Sequence, residues 1–301
     1  MSAAVCGNWV SAAPSAAGEA AKVANERFWS ALHGADYGAY PQALTAGEAA
    51  LAQAPDDAKL NAHLGWLHIW HLSEAGNFQA TPQDRRADLT SAGHYFKRAV
   101  ELDRHEARYL GFYATTLIVE SALTSDAAES GHAEATMERA VRLWPEFNLF
   151  TAGYIHSSDP YDSREYATAL TRMWQNVDVC IARRISRLNP DLSQYPLVVT
   201  NVGPKRACWN SAIAPHNFEG FFLNFGDMLV KNGDVTLART MYANARLSPG
   251  YREWKYRDVL ERRITDADTN VGIFRGVEQS QDPDSQLMLE SNFSCMACHR
   301  R

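Results

Sequence analysis

The sequence predicts an all-α protein built as a solenoid of helical hairpins. Two observations carry the prediction. Apolar residues recur at three- and four-residue intervals along most of the chain, the spacing that gives a helix one apolar face. Small residues recur in register at intervals of about 34 residues, where the two helices of a hairpin cross too closely for bulky side chains. The composition agrees: 46% of the 301 residues are hydrophobic and 21% charged, which excludes global disorder.

The first hairpin is expected over Ala24–Asp57. Ala31, Gly38, Ala43, Ala50 and Pro55 stand at repeat positions 8, 15, 20, 27 and 32, with Gly47 at position 24, where a large apolar residue is usual. The second begins at Ala58, with Leu64 and Gly65 at positions 7 and 8, then Ala92, Phe96 and Ala99 at 20, 24 and 27. An insertion of about 15 residues around Ser73–Leu89 separates its helices. The third runs over Ala107–Phe147, with Ala114, Ala133, Met137, Ala140 and Pro145 at positions 8, 20, 24, 27 and 32. It carries an insertion of about seven residues near Thr124–Gly131.

Residues 148–218 read as one irregular repeat with a long helix over about Arg164–Leu188. A loop punctuated by Pro190, Pro196, Pro204 and Pro215 follows. The clearest repeat is Glu219–Arg252, where Phe222, Phe225, Gly226, Leu229, Gly233, Ala238, Tyr242 and Ala245 fit the pattern. Gly226 and Ala238 are expected to touch at its helix crossing. After Arg263 the pattern stops. Thr265–Glu290 is polar and reads as an ordered loop or a tether, with a short helical piece over Ser285–Ser291. The expected organisation is an N-terminal segment 1–23, a repeat domain 24–262, and a C-terminal loop and tail 263–301.

Over residues 24–255 this pattern resembles the tetratricopeptide-repeat (TPR) family. The resemblance implies a TPR-like superhelix whose concave face binds a peptide or a partner protein. Repeat positions 9 and 13 line that face in the family, so Trp66 and Trp70, which take them here, are candidate partner-binding residues. His63 and His71 lie eight residues apart near one face of the same helix. With the two tryptophans they read either as ordinary packing or as a platform for a cofactor, peptide or partner. A generic Ala-rich helical bundle is the alternative fold.

Charge narrows the partners. Lys plus Arg total 29 against 35 Asp plus Glu, a net charge of -6, so a whole-chain basic footprint is absent and no nucleic-acid partner is expected. No run reaches the roughly 18 apolar residues of a membrane span. Five cysteines are too few for a small disulfide scaffold. No Walker loop, G-x-G-x-x-G, G-x-S-x-G or H-E-x-x-H occurs.

One motif carries chemistry. The chain ends Cys295-Met296-Ala297-Cys298-His299-Arg300-Arg301, and C-x-x-C-H is the c-type haem attachment sequence. Thiols three residues apart sit one helical turn apart and reach the two vinyl groups on one porphyrin edge. The adjacent histidine then lies under the ring, where its imidazole binds iron. The five residues resemble the motif of c-type cytochromes. The resemblance implies one covalent haem c on Cys295 and Cys298, with His299 as proximal ligand. In the small cytochromes c the wrapping helices follow the motif, whereas only two residues follow it here. The expected arrangement is therefore a haem carried on the end of a helical scaffold. The same residues would also serve a redox dithiol or another metal. Arg300 and Arg301 read either as partners of the haem propionates or as a solvated terminus.

A sixth iron ligand would come from a His or Met elsewhere. His216, after Pro215 beside the last repeat, and His156, before Ser157-Ser158-Asp159-Pro160, are the first distal candidates. His33, His63, His68, His71, His94, His105 and His132 complete the set. His68, at a core position of its repeat, reads as a satisfied buried histidine. Cys180 and Cys208 form a disulfide if the protein is exported, or a pair of buried thiols; Cys6 leaves an odd count.

These readings converge on an exported, periplasmic-type protein with one covalent haem c, serving electron transfer or redox sensing within a protein complex rather than classical catalysis. Residues 1–5 are too short for a signal peptide, so the signal is expected to have been removed. Two alternatives stay open: a non-enzymatic adaptor whose tail handles thiols or a metal, and a peroxidase-like haem enzyme with an open sixth site and a distal base.

Overall fold

The structure, a computed structural model, describes residues 16–197, 200–209, 217–280, 283–287, 289 and 291. The described residues form thirteen α-helices and no strand. In chain order these are α1 (Ala16–Gly34), α2 (Tyr40–Gln53), α3 (Ala58–Ser73), α4 (Ala75–Phe78), α5 (Pro82–Leu102), α6 (Ala107–Thr124) and α7 (Ala127–Leu143). They continue with α8 (Pro145–Tyr154), α9 (Arg164–Ile181), α10 (Phe218–Asn232), α11 (Val235–Ala243), α12 (Arg257–Thr265) and α13 (Ala267–Phe274). Helices pair along the chain as α1 with α2, α3 with α5, α6 with α7, α8 with α9, and α10 with α11, and each pair touches the next.

Local sequence explains the helix starts. Asp57 accepts from the backbone N–H groups of Lys59 and Leu60, Asp126 from those of Ala128 and Glu129, and Asn217 from that of Gly220. Thr81 and Asp84 form a reciprocal capping box ahead of α5. Each cap satisfies donors that a helix cannot satisfy internally.

The alanines at the expected hairpin crossings are buried. Ala31, Ala43, Ala50, Ala92, Ala99, Ala114, Ala133, Ala140, Ala238 and Ala245 are each at most 1% exposed. At Gly65 an added Cβ would lie 2.9 Å from the Phe96 ring, so α3 and α5 approach more closely than any side chain there allows. Both insertions are largely helical. The first forms α4 and the opening turns of α5. The second lengthens α6 and α7, which meet at Ser125 in a left-handed conformation, φ 56°.

Several expected boundaries move. The helix α1 begins at Ala16, inside the segment 1–23. The helix α9 ends at Ile181 rather than near Leu188, closed by Ala182 at φ 58°. Within 263–301, where a loop or tether is expected, α12 continues to Thr265 and α13 follows. Ala267, Asn270 and Phe274 give α13 a buried face, and it packs on α10. Of the helical piece expected over Ser285–Ser291, only a 3-10 turn over Pro283–Ser285 appears among the described residues. At the α10–α11 crossing the ring of Tyr242 packs directly on Gly226.

The loop after α9 folds back over the body. Cys180 and Cys208 are joined in a disulfide. The Trp144 indole N–H donates to Pro204 O at 2.7 Å, and Arg206 lies 3.9 Å over the same ring. Ala207, fully buried, packs with Phe112 and Phe147, whereas Cys208 and Trp209 join the C-terminal core around Phe221 and Phe222.

Candidate functional site

Cys295, Cys298, His299, Arg300, Arg301, His216 and Cys6 lie outside the described residues. The chain leading to the motif is anchored nonetheless. Arg262 bonds Asp284 at 2.6 Å, and the buried Arg263 donates to Gln286 O. Leu289 and Ser291 are 3% and 5% exposed, and Leu289 packs in the cluster that holds Phe218, just after residues 210–216.

His156 sits after α8 in a charged knot. Its Nδ1 meets Asp159 at 2.8 Å and its Nε2 meets Glu134 at 3.0 Å. Arg172 of α9 reaches the same Glu134 at 3.2 Å, Glu138 at 2.6 Å and Ala152 O at 3.1 Å. Burial pulls the His156 pKa down, but the two carboxylate hydrogen bonds and their charges outweigh it and raise it to about 9. The imidazole is therefore cationic at neutral pH with both nitrogens engaged. The knot borders a polar cavity of about 710 Å³ between α6, α7 and α9. Its cations and carboxylates satisfy one another, and its effect is to pin α7 to α9.

The other histidines separate by environment. His63 stacks on Phe28 at 4.1 Å and is 5% exposed; burial, then Lys59 and Arg108, push its pKa down to about 3, so it stays neutral. His68 and His71 present their Nδ1 atoms to the two oxygens of one buried carboxylate, Asp88, at 2.8 and 2.6 Å. The satisfied state expected of His68 is thus supplied by α5. His33 lies 4.8 Å from Trp29. His94, His105 and His132 are exposed.

The two tryptophans part company. Trp70 is fully buried: Tyr37, Tyr40 and Phe78 pack on it at 5.7, 6.0 and 5.1 Å. Phe78 belongs to the first insertion, which covers the surface that the repeat pattern assigns to a partner. Trp66 is half-buried among Phe28, Phe96, Tyr109 and Phe112 and keeps an accessible edge. Sequence reasoning missed the carboxylates Asp88 and Glu134, which organise these histidines from 17 to 22 positions away. Helical spacing on their own elements was the available signal, but it does not say what crosses to them.

Among the described residues no group of three or more His, Cys, Asp and Glu side chains could hold a metal ion, and no helix is long and apolar enough to cross a membrane. Compared with known proteins, the chain matches no family model, no curated protein and no solved structure.

Proposed function

We propose that this chain is an exported, TPR-like helical-repeat protein that carries one covalent haem c at its C-terminus and transfers electrons, or senses redox state, within a protein complex. The C-x-x-C-H sequence carries the reading, because two thiols and an imidazole in that order form the donor set that the group requires. The Cys180–Cys208 disulfide supports it independently. Structural disulfides belong to oxidising compartments, and covalent haem attachment is made outside the cytoplasm. Buried small residues at each hairpin crossing support the repeat assignment.

When bound, the haem supplies a one-electron redox centre. Cys295 and Cys298 would hold it, His299 would bind its iron, and Arg300 and Arg301 would pair with its propionates. Three residues separate Ser291 from Cys295, four backbone steps with a reach of at most about 14 Å. The segment containing His216 ends at Asn217, which caps α10 in the same C-terminal core. His216 therefore stands as the candidate sixth ligand, and Trp66 as the candidate partner contact.

The test is expression with export and haem-attachment machinery. The purified protein should gain the mass of one haem and keep its colour in acid-acetone. Cys298→Ala should lose stable attachment, and His299→Ala should lose the proximal ligand. An exported wild-type protein without covalent haem would overturn the proposal and favour an adaptor whose tail thiols bind a metal or exchange disulfides.

A further inference from the structure

The chain is acidic overall, with a net charge of -6, yet residues 182–207 hold five Lys and Arg against one Asp. The fold gathers these cations at one end of α9. Cys208 is bonded to Cys180 in the last turn of that helix, and Lys205 Nζ donates to Cys180 O at 3.2 Å. Arg183 and Arg184 follow the same turn and are exposed. Arg206 lies 3.9 Å over the ring of Trp144, which brings the patch beside the exposed Arg142 in the last turn of α7.

Little within the chain neutralises these charges. Lys205 and Arg206 donate to carbonyl oxygens. Among the described residues no carboxylate pairs with Arg142, Arg183 or Arg184. Asp178 is spent on Arg187, at 2.5 Å, and Asp191 accepts from the backbone N–H of Ser193. Glu146, in the first turn of α8, is the remaining carboxylate beside Trp144.

Apolar side chains stand among the cations. Leu188 follows the Arg187 that is held to α9 and is 94% exposed. Val202, three residues before Lys205, is 75% exposed, and Leu143, beside Arg142, is 45% exposed. Single exposed apolar residues are ordinary on a protein surface. Three on one end of the molecule, interleaved with unpaired cations, make an amphipathic surface.

We propose that this surface docks on an anionic phospholipid membrane. The arginines and Lys205 meet the headgroup phosphates, and Leu188 and Val202 enter the boundary with the acyl chains. Protrusion favours lipid over an acidic protein. A protein partner needs a socket shaped to each side chain, whereas a fluid interface accepts side chains that stand almost free of their own chain. The inference does not depend on the haem.

Vesicle co-sedimentation of the exported, purified protein tests it. The protein should pellet with vesicles of about 30% phosphatidylglycerol in phosphatidylcholine, at least about tenfold less with phosphatidylcholine alone, and salt of about 0.5 M should release it. The double variant Arg183→Glu, Arg184→Glu should weaken binding at least about tenfold. An equal charge reversal on α5, Arg86→Glu with Lys97→Glu, should leave it within about twofold. Leu188→Ser with Val202→Ser should weaken it at least about threefold. All six positions are exposed, and circular dichroism melts verify that each variant folds. No pelleting, equal binding to both vesicle types, or equal losses from the two charge reversals would overturn the proposal. So would undiminished binding by Leu188→Ser, Val202→Ser, which would reassign the surface to an acidic protein. Haem mass is read separately on the same samples, so failure of one proposal leaves the other standing.

Discussion

Gly226→Ala adds one methyl group, and its cost follows from a single contact. A Cβ at Gly226 would lie 2.2 Å from Tyr242 Cε1 and 2.3 Å from Cδ1. Carbon atoms pack comfortably at about 3.5–4.0 Å, so the ring must move by more than about 1 Å. Tyr242 has nowhere to go. It is fully buried, and its hydroxyl donates to Asp227 Oδ1 at 2.5 Å. Asp227 is itself buried, with Arg263 Nε at 3.5 Å. Helix propensity favours the alanine by about 1 kcal/mol. Overpacking costs about 1–3 kcal/mol, and losing a hydrogen bond to a charged acceptor costs about 1.5–3 kcal/mol. The net expectation is a loss of about 3 kcal/mol, or roughly 6 °C in Tm for a chain of this size. Gly131→Ala is the control. It lies in α7 with no atom within 4 Å of the added Cβ, so only the favourable propensity acts and stability should rise by up to about 1 kcal/mol. Thermal and urea unfolding followed by circular dichroism read both variants. A Gly226→Ala protein as stable as the wild type, or shifted in the same direction as Gly131→Ala, would refute the packing argument.

Three further outcomes are expected. The folded pKa of His156, raised to about 9 from 6.5, makes its contribution complete below about pH 6.5 and lost as pH climbs through 9. The stability difference between wild type and His156→Gln should therefore shrink from pH 6 to pH 10, and a pH-independent difference would count against the charged knot. Asn148 is fully buried and donates to Ala107 O at 3.1 Å and Ala140 O at 3.0 Å, so Asn148→Ala should cost about 2 kcal/mol in urea unfolding; a change under about 0.5 kcal/mol would mean those carbonyls find other partners. The disulfide spans a separation of 28 residues, so the Cys180→Ser, Cys208→Ser double variant should lose about 3–4 kcal/mol and become insensitive to reductant; a reductant effect that persisted in the variant would point elsewhere.

The helical hairpins were legible because close crossings leave a sequence trace. Ala92, Phe96 and Ala99 face α3 at the spacing of a helix, and nothing but a small residue fits at Gly65. Features formed by distant segments left no such trace. Trp70, expected at a partner-binding position, is covered by Phe78 from an inserted helix of four residues and by Tyr37 from the 3-10 turn between α1 and α2. His156 looks like a loop histidine until Glu134, two helices earlier in space, is brought to its Nε2. The helix α13 was obscured by its shortness, since eight residues with Ala267, Asn270 and Phe274 buried give too few turns for a helical period to stand out. The C-x-x-C-H sequence was legible as a donor set, and its neighbourhood was not, because three intervening residues after Ser291 do not specify a face of the core.

The cross-linked loop has a consequence for cooperativity. In a linear array each unit feels only its neighbours, and distant units can melt separately. Here Ala207 is buried with Phe112 and Phe147, while its neighbour Cys208 is bonded to α9 and packed with the C-terminal core. Two successive residues thus tie two clusters together, and the bond to Cys180 holds that tie shut. The helix α8 makes a second tie, since its Phe147 belongs to one cluster and its Phe150 to the other, so opening the bond removes one of two links. Reduction then weakens the coupling between the two clusters without severing it.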